Sequence, residues 1–376
     1  MSVHKFKLMK IIADNTIPYL RGIAEPFAEI TYIAPEEFTR EIIREADALI
    51  IRSIDKCTRE VLEGSRVKLI TTATIGFDHI DTRYCDEAGI TWANAPGCNA
   101  GSVAQYVFTS LLTLSIRKGI SLKGKTLGIV GVGHVGKAVE KLCKAYGMHI
   151  LRNDPPREEK EGPEEFVSLQ TIARESDIIT FHVPYTKTGK HATWHLANEA
   201  FFKEVKKSPW FLNTCRGAVH DTEALLKAKK EGILSELIID CWENEPHIDL
   251  QLLAETAIAT PHVAGFSADG KANGTRACLE TIGRFYGVEI EKLKDVLPPA
   301  PANPVIDLNK FASHRMEQAI LTTFKPETVD ERLRQSPEKF EWFRNNYPHP
   351  REFKAYTLLN IREEEYALAD TLGFNR

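Results

Sequence analysis

The sequence predicts an α/β protein with two doubly wound parallel-sheet domains and a small C-terminal α+β module. Three observations carry that expectation. Short uncharged apolar runs alternate with helical patterns through the first two domains. A glycine-rich turn opens one of the helices. A proline-dense stretch, LPPAPANP at 297–304, then ends the alternation, because proline cannot continue a helix and stiffens a linker.

In order along the chain, KIIADN (10–15), ALIIRS (48–53), VKLITTAT (67–74) and ITWANAP (90–96) read as strands. Residues 35–46 and 58–64 read as helices, the second with Thr58 as its N-cap. Strands without charge along their length are those of a parallel sheet covered on both faces. An apolar helix over 103–116 leads into a second series. Its strands are TLGIV (126–130), HILRND (149–154), DIITFHVP (177–184), PWFLNTCR (209–216), ELIIDCW (236–242) and AIATPHVAG (257–265). The expected division is a substrate domain of 1–102 plus about 259–295, a nucleotide domain of 103–258, and a third module of 296–376. That last segment is richer in aromatics than the 9% of the whole chain, so it should fold, and its rings need a surface to bury against.

Composition narrows the functional classes. The 376 residues carry Lys+Arg 48 against Asp+Glu 52, a net charge of −4, which offers no general attraction to nucleic acid or an anionic membrane. Seven cysteines, at 57, 85, 98, 143, 215, 241 and 278, are odd in number and form no C-x-x-C pair, so neither a disulfide framework nor a zinc ribbon is indicated. The N-terminal residues lack an apolar signal core, and the uncharged run 88–116 is interrupted by Asn94, Pro96, Gly97, Asn99 and Gln105, which reads as a loop and a buried helix and not as a membrane span. A cytoplasmic protein is expected.

Gly131-Val132-Gly133-His134-Val135-Gly136 follows the strand TLGIV and opens a helix whose Val139, Leu142, Cys143 and Tyr146 share one face. In a Rossmann-like unit the first glycine permits the tight turn, the second lets a pyrophosphate approach the backbone, and the third lets the helix sit close to the sheet. Asp154 ends the next strand, near the ~20-residue spacing of a ribose-diol acceptor. A carboxylate there accepts from both ribose hydroxyls and repels a 2′-phosphate, which predicts NAD rather than NADP. Gly131 to Lys137 also spells G-x-x-x-x-G-K, but Ala138 stands where a phosphate-binding NTPase loop needs Ser or Thr for magnesium.

Arg216, Glu245 and His262 fall at or just beyond the carboxyl ends of expected strands, where open α/β sheets bind ligands. A guanidinium fork suits a substrate carboxylate. An imidazole suits removal of a hydroxyl proton, and a carboxylate beside it orients the ring. Taken singly, each has an ordinary reading: a strand-to-turn exit, a solvated loop, a core or surface histidine.

Together GVGHVG with Asp154, FHVPYT (181–186), NTCRG (213–217), D-x-W-E-N-E-P (240–246) and PHVAG (261–265) resemble the D-isomer-specific 2-hydroxyacid dehydrogenase family. The likeness covers essentially the whole chain. It narrows through IIRS (50–53), TTATIGFDHID (71–81), NDPPRE (153–158), YPHPREF (347–353) and LADTLGF (368–374) to a branch acting on a phosphorylated hydroxy acid. The resemblance implies oxidation of 4-phospho-D-erythronate to (R)-3-hydroxy-2-oxo-4-phosphobutanoate with NAD, in pyridoxal 5′-phosphate (vitamin B6) biosynthesis. It also implies a homodimer formed through the C-terminal extension, with no metal and no nucleic-acid or membrane partner.

Carried over by position, the resemblance implies that Arg216 anchors the substrate carboxylate, that His262 is the general acid/base and that Glu245 is its partner. Ser53, Thr74 and Phe266 would contact substrate. Gly131, Gly133, His134, Val135, Gly136, Asp154, Val183, Thr214, Cys215, Asp240 and Gly265 would line NAD. Two positions depart from the family pattern: Phe266 replaces an expected tyrosine and Val183 an expected threonine, and each loses a side-chain hydrogen bond. For the distal phosphate, Arg52 is a candidate, as is a basic residue of the C-terminal module such as Arg351 reaching across the dimer; each could equally be a solvated surface arginine, the reading favoured for Arg351. The alternatives are a 3-phosphoglycerate- or glyoxylate-type enzyme of the same family, or an NAD-binding corepressor or scaffold on the same fold.

Overall fold

The computed structural model describes residues 9–376; residues 1–8, counted in the substrate domain on sequence grounds, lie outside the described residues. The chain divides into two compact units. One runs from the first described residue to Asn99 and takes in Ala268–Pro299, and the other comprises Ala100–Ser267 and Ala300–Arg376.

The first unit holds a wholly parallel sheet of β1 (Met9–Asp14), β2 (Ala28–Ile33), β3 (Ala48–Ile51), β4 (Leu69–Thr72) and β5 (Thr91–Ala93), in the order β2-β1-β3-β4-β5. β3 and β4 are buried at every residue, which is why they read as uncharged runs. β2 is absent from the sequence reading. It is an edge strand that alternates between buried and exposed residues and carries Glu29, so its signal is diluted. The helix expected over 35–46 is broken into Pro35–Glu37 and Arg40–Ile43, with Thr39 extended between them. The long helix Ala268–Tyr286 returns to this unit, burying Ala272, Cys278, Leu279 and Ile282 against Ile11, Ala13 and Ile50.

The second unit's main sheet is also parallel. It contains β6 (Thr126–Val130), β7 (His149–Asn153), β8 (Ile178–Phe181), β9 (Trp210–Asn213), β10 (Glu236–Ile239) and β11 (Ile258–Ala259), in the order β11-β10-β9-β8-β6-β7. All six correspond to strands read from the sequence. The order reverses at β6, so the carboxyl ends of β6 and β8 frame a switch point, the ligand crevice of doubly wound sheets. The apolar helix is Ala100–Lys118, buried continuously from Ser102 to Ser115, which accounts for its lack of a polar face.

Two boundaries differ from the sequence reading. Residues 259–267 belong to the second unit, and the return to the first begins at Ala268. The segment after the prolines is not a body apart. Ile306, Leu308, Met316, Ala319 and Ile320 share a hydrophobic cluster with Val107, Leu111, Leu127 and Ile238, and Leu333 and Phe340 join the cluster of Phe181 and Phe211. The proline run ends one unit, but the amphipathic helices Arg315–Thr323 and Pro326–Gln335 that follow need an apolar partner and find it here. A short parallel pair, β12 (Val305–Asp307) and β13 (Thr357–Leu359), completes the segment.

Candidate active site

The glycine loop lies where β6 turns into the helix His134–Ala145, so His134 and Val135 are its first helical residues. Gly131 has φ +90°, a left-handed conformation, and a side chain there would strike the His182 carbonyl. A Cβ at Gly136 would come 2.1 Å from the Gly131 oxygen, so only glycine lets the helix seat on the loop. A Cβ at Gly133 would meet nothing within 4 Å: the loop is open on that side, above a helix N-terminus. Open space, positive helix end and facing carboxylate fit a dinucleotide pyrophosphate and its ribose. Val183, just beyond β8, lines the same turn, and its Cγ1 would lie 2.8 Å from a Cβ at Gly131.

Asp154 caps the helix Pro155–Glu161, and its Oδ2 accepts the Val132 N–H at 2.8 Å. The two arginines that could favour a 2′-phosphate are occupied. Arg152 is paired with Glu140 and Glu165, and Arg157 is paired with Glu161 and donates to the Val132 carbonyl at 2.7 Å. Both arrangements leave the acidic character of the ribose corner intact.

The structure brings His262 and Glu245 into contact. His262 Nδ1 lies 2.8 Å from Glu245 Oε2, and Glu245 Oε1 accepts the Trp242 N–H at 2.7 Å. With Nδ1 engaged, Nε2 is the nitrogen left for a substrate. Burial pushes the Glu245 carboxyl up, but the hydrogen bond and charge of His262, the Trp242 N–H and the Arg344 charge outweigh it and hold the group below its ordinary value. His262 itself has φ +57°, a conformation that non-glycine residues seldom adopt, and it needs a rigid frame.

Asp240 supplies that frame. Fully buried at the end of β10, it accepts Thr260 Oγ1 (2.6 Å) and the Val263 N–H (2.8 Å) on Oδ1, and the Ala264 N–H (3.0 Å) on Oδ2; its carbonyl accepts the His262 N–H at 2.8 Å. Ser102 and Tyr106 brace the same loop through the Ala264 carbonyl and Thr260. Gly265 and Phe266 follow directly. The sequence reading gave Asp240 a cofactor contact and missed this clamp. The available signal was an acid at a strand end preceding a histidine loop, too common to single out.

Arg216 extends from the turn after β9, where Asn213 Nδ2 donates to its carbonyl at 2.8 Å and to His220 Nδ1 at the same distance. A Cβ at Gly217 would stand 1.9 Å from the Trp242 oxygen, so the Arg216 turn rests directly on the backbone of the Glu245 loop. Thr214 Oγ1 lies 3.4 Å from His182 Nδ1, and burial holds that imidazole neutral, its pKa lowered to about 3. The thiol of Cys215 is pushed up to about 11 by burial. Cys241 Sγ, Glu245 and His262 offer donor atoms within 4.8 Å of one another. Burial raises the Cys241 thiol far above its ordinary range, so at neutral pH it is an uncharged core thiol beside the pair.

Ser53 and Thr74 belong to the first unit, just beyond β3 and β4. Ser53 is exposed, while the Thr74 hydroxyl donates to the Gly76 carbonyl at 2.9 Å and lies 2.8 Å from that of Thr72. Arg52 donates to Thr16 Oγ1 at 2.6 Å.

Residues 110–264 match the family described as D-isomer specific 2-hydroxyacid dehydrogenase, NAD binding domain. The erythronate-4-phosphate dehydrogenase of Porphyromonas gingivalis is 53% identical over 367 residues, covering 97% of this chain and all of the relative. That of Bacteroides thetaiotaomicron is 51% identical, covering 94% of this chain and all of its own. Among solved structures, the NAD+-bound 3-phosphoglycerate dehydrogenase of Entamoeba histolytica (28% identity, TM-score 0.62) covers 74% of this chain and 96% of its own. The apo D-lactate dehydrogenase of Escherichia coli (26%, TM-score 0.61) covers 75% and 99%. A nucleotide loop, a buried acid framing a histidine, and half-identity over nearly full length converge: the chain belongs to the erythronate-4-phosphate dehydrogenases, a branch of the NAD-dependent D-isomer specific 2-hydroxyacid dehydrogenases.

Proposed function

We propose that this protein oxidises 4-phospho-D-erythronate at C2 to (R)-3-hydroxy-2-oxo-4-phosphobutanoate, with NAD as acceptor, in pyridoxal 5′-phosphate biosynthesis. The observation that carries the reading is the His262–Glu245 pair on a dinucleotide unit, in a chain half-identical to relatives of that name. Bound NAD would supply the acceptor for the C2 hydride. His262 Nε2 takes the proton of the C2 hydroxyl, and Glu245 stabilises the imidazolium that results. Arg216 holds the carboxylate and polarises the growing carbonyl, fixing the substrate for attack. Ser53, Thr74 and Phe266 are the further substrate contacts. Gly131–Gly136, Asp154, Val183, Thr214, Cys215 and Gly265 would hold the dinucleotide, with Asp240 behind them.

The protein would work in the cytoplasm as a homodimer joined through its C-terminal segment. Among the described residues no helix is long and apolar enough to cross a membrane. The same-family alternatives and the corepressor reading are less favoured: the relatives carry one activity in their names, and the acid–base pair is intact. The test is NADH formation from 4-phosphoerythronate against 3-phosphoglycerate and glycolate (the alcohol partner of glyoxylate), with NAD and with NADP. Turnover of 4-phosphoerythronate with NAD well above every other combination is expected; preference for another acid, or equal use of NADP, would overturn the reading.

A further inference from the structure

A substrate with a carboxylate at one end and a phosphate at the other needs two cations, and Arg216 serves only the first. We propose that Arg344, on the short helix Phe340–Asn345 of the C-terminal segment, is the phosphate anchor, an inference that rests on the substrate reading above.

The guanidinium of Arg344 lies 5.8 Å from the ring centroid of Phe266, four positions beyond the catalytic histidine. Its charge is among those that bear on Glu245, so it belongs to the electrostatic neighbourhood of the acid–base pair. Most of the second unit's other part-buried arginines have carboxylate partners: Arg152 with Glu140, Arg157 with Glu161, Arg315 with Glu365, Arg334 with Asp330. Among the described residues Arg344 makes no ion pair, and its Nε is buried without a hydrogen-bond partner. A buried donor left unsatisfied is costly, and an anion arriving there removes the cost. A phosphate monoester, with oxygens spaced for a planar fork, is the anion this geometry suits.

Three other features agree. Phe266 supplies an aromatic ring against the guanidinium, which orients the fork without neutralising it. The alternative cation read from the sequence, Arg52, already donates to Thr16. The ring of His349 lies 5.9 Å from Phe266, so a second nitrogen-bearing side chain gathers at the same place. The C-terminal segment thus brings a substrate-recognition residue to the catalytic loop of its own unit.

The experiment compares wild type with R344Q and R344K on 4-phosphoerythronate and on erythronate lacking the phosphate, with inorganic phosphate as inhibitor and NAD binding and thermal unfolding as controls of folding. In R344Q, KM for 4-phosphoerythronate should rise on the order of 100-fold with kcat little changed. KM for erythronate should change far less than KM for 4-phosphoerythronate, inhibition by phosphate should disappear, and R344K should recover part of the loss. An unchanged KM in R344Q refutes the inference. So does an equal loss on both substrates with a displaced pH profile, which would make Arg344 a tuner of Glu245 alone. A failed fold in R344Q leaves R344K to decide on the same two substrates. If wild type ignores 4-phosphoerythronate, the substrate reading falls first, and the inference with it.

Discussion

At the scale of single residues, the decisive fact is that His262 is held in a strained conformation by a buried acid and aimed by a second one. Asp240 fixes the loop and Glu245 occupies Nδ1, so one imidazole nitrogen is free for chemistry. Replacing His262 with alanine should lower kcat by at least ~100-fold, the ordinary contribution of a positioned acid/base, while calorimetry still detects NAD binding. A quite different carboxyl, Asp55, titrates in the first unit, beside Asp14. Asp14 and Asp55 are both 1% exposed, and each has a carboxylate oxygen without a hydrogen-bond partner. Burial and the Asp14 charge raise the Asp55 carboxyl to about 7, against the opposing Arg52 N–H. Between the ordinary carboxylate value and about 7 the folded chain therefore holds a proton that the unfolded chain has lost. Stability from the Asp55 proton is full in acid and declines as pH rises through that window. Asp55→Asn keeps the hydrogen bond from the Arg52 N–H and removes the titration. Denaturant unfolding across that pH range should show wild type losing about 4 kcal/mol that the variant keeps.

At the scale of elements, the loops that carry Arg216 and Glu245 are held together because tight turns at strand ends pack backbone to backbone. The turn after β9 rests on the loop after β10 at Gly217, with no space for a methyl group. Gly217→Ala must therefore part the two loops. It should destabilise the protein by about 2 kcal/mol in chemical unfolding and cost more in kcat than in NAD affinity, because Arg216 is displaced while the glycine loop after β6 is untouched.

At the scale of the whole molecule, the C-terminal segment is part of a core. Ile306, Ile320, Phe353 and Leu358 are buried in the cluster that also holds Val107 and Leu127, and Phe340 lies beneath the opposite face of the sheet with Phe211. Deleting 300–376 would bare these surfaces together. The truncated chain should be insoluble or bind a hydrophobic dye, and not be a folded monomer that has merely lost its partner; light scattering of the purified product distinguishes the two.

Much of this was legible in the chain itself. Central parallel strands such as β3, β4 and β8 are buried on both faces, so burial had to write them as uncharged, mostly apolar runs. The glycine loop and the order Arg216, Glu245, His262 are local or nearly local, because doubly wound sheets deliver their functional residues at strand ends. What escaped was set by contacts distant in sequence. The edge strand β2 takes its identity from pairing with β1, the buried carboxylate of Asp240 from the backbone it meets more than a strand away, and Arg344 from the packing of a terminal helix beside Phe266. Propensity and periodicity report on neighbours along the chain. Which unpaired cation stands beside which carboxylate is decided only when side chains remote in sequence are enclosed together and must find partners there.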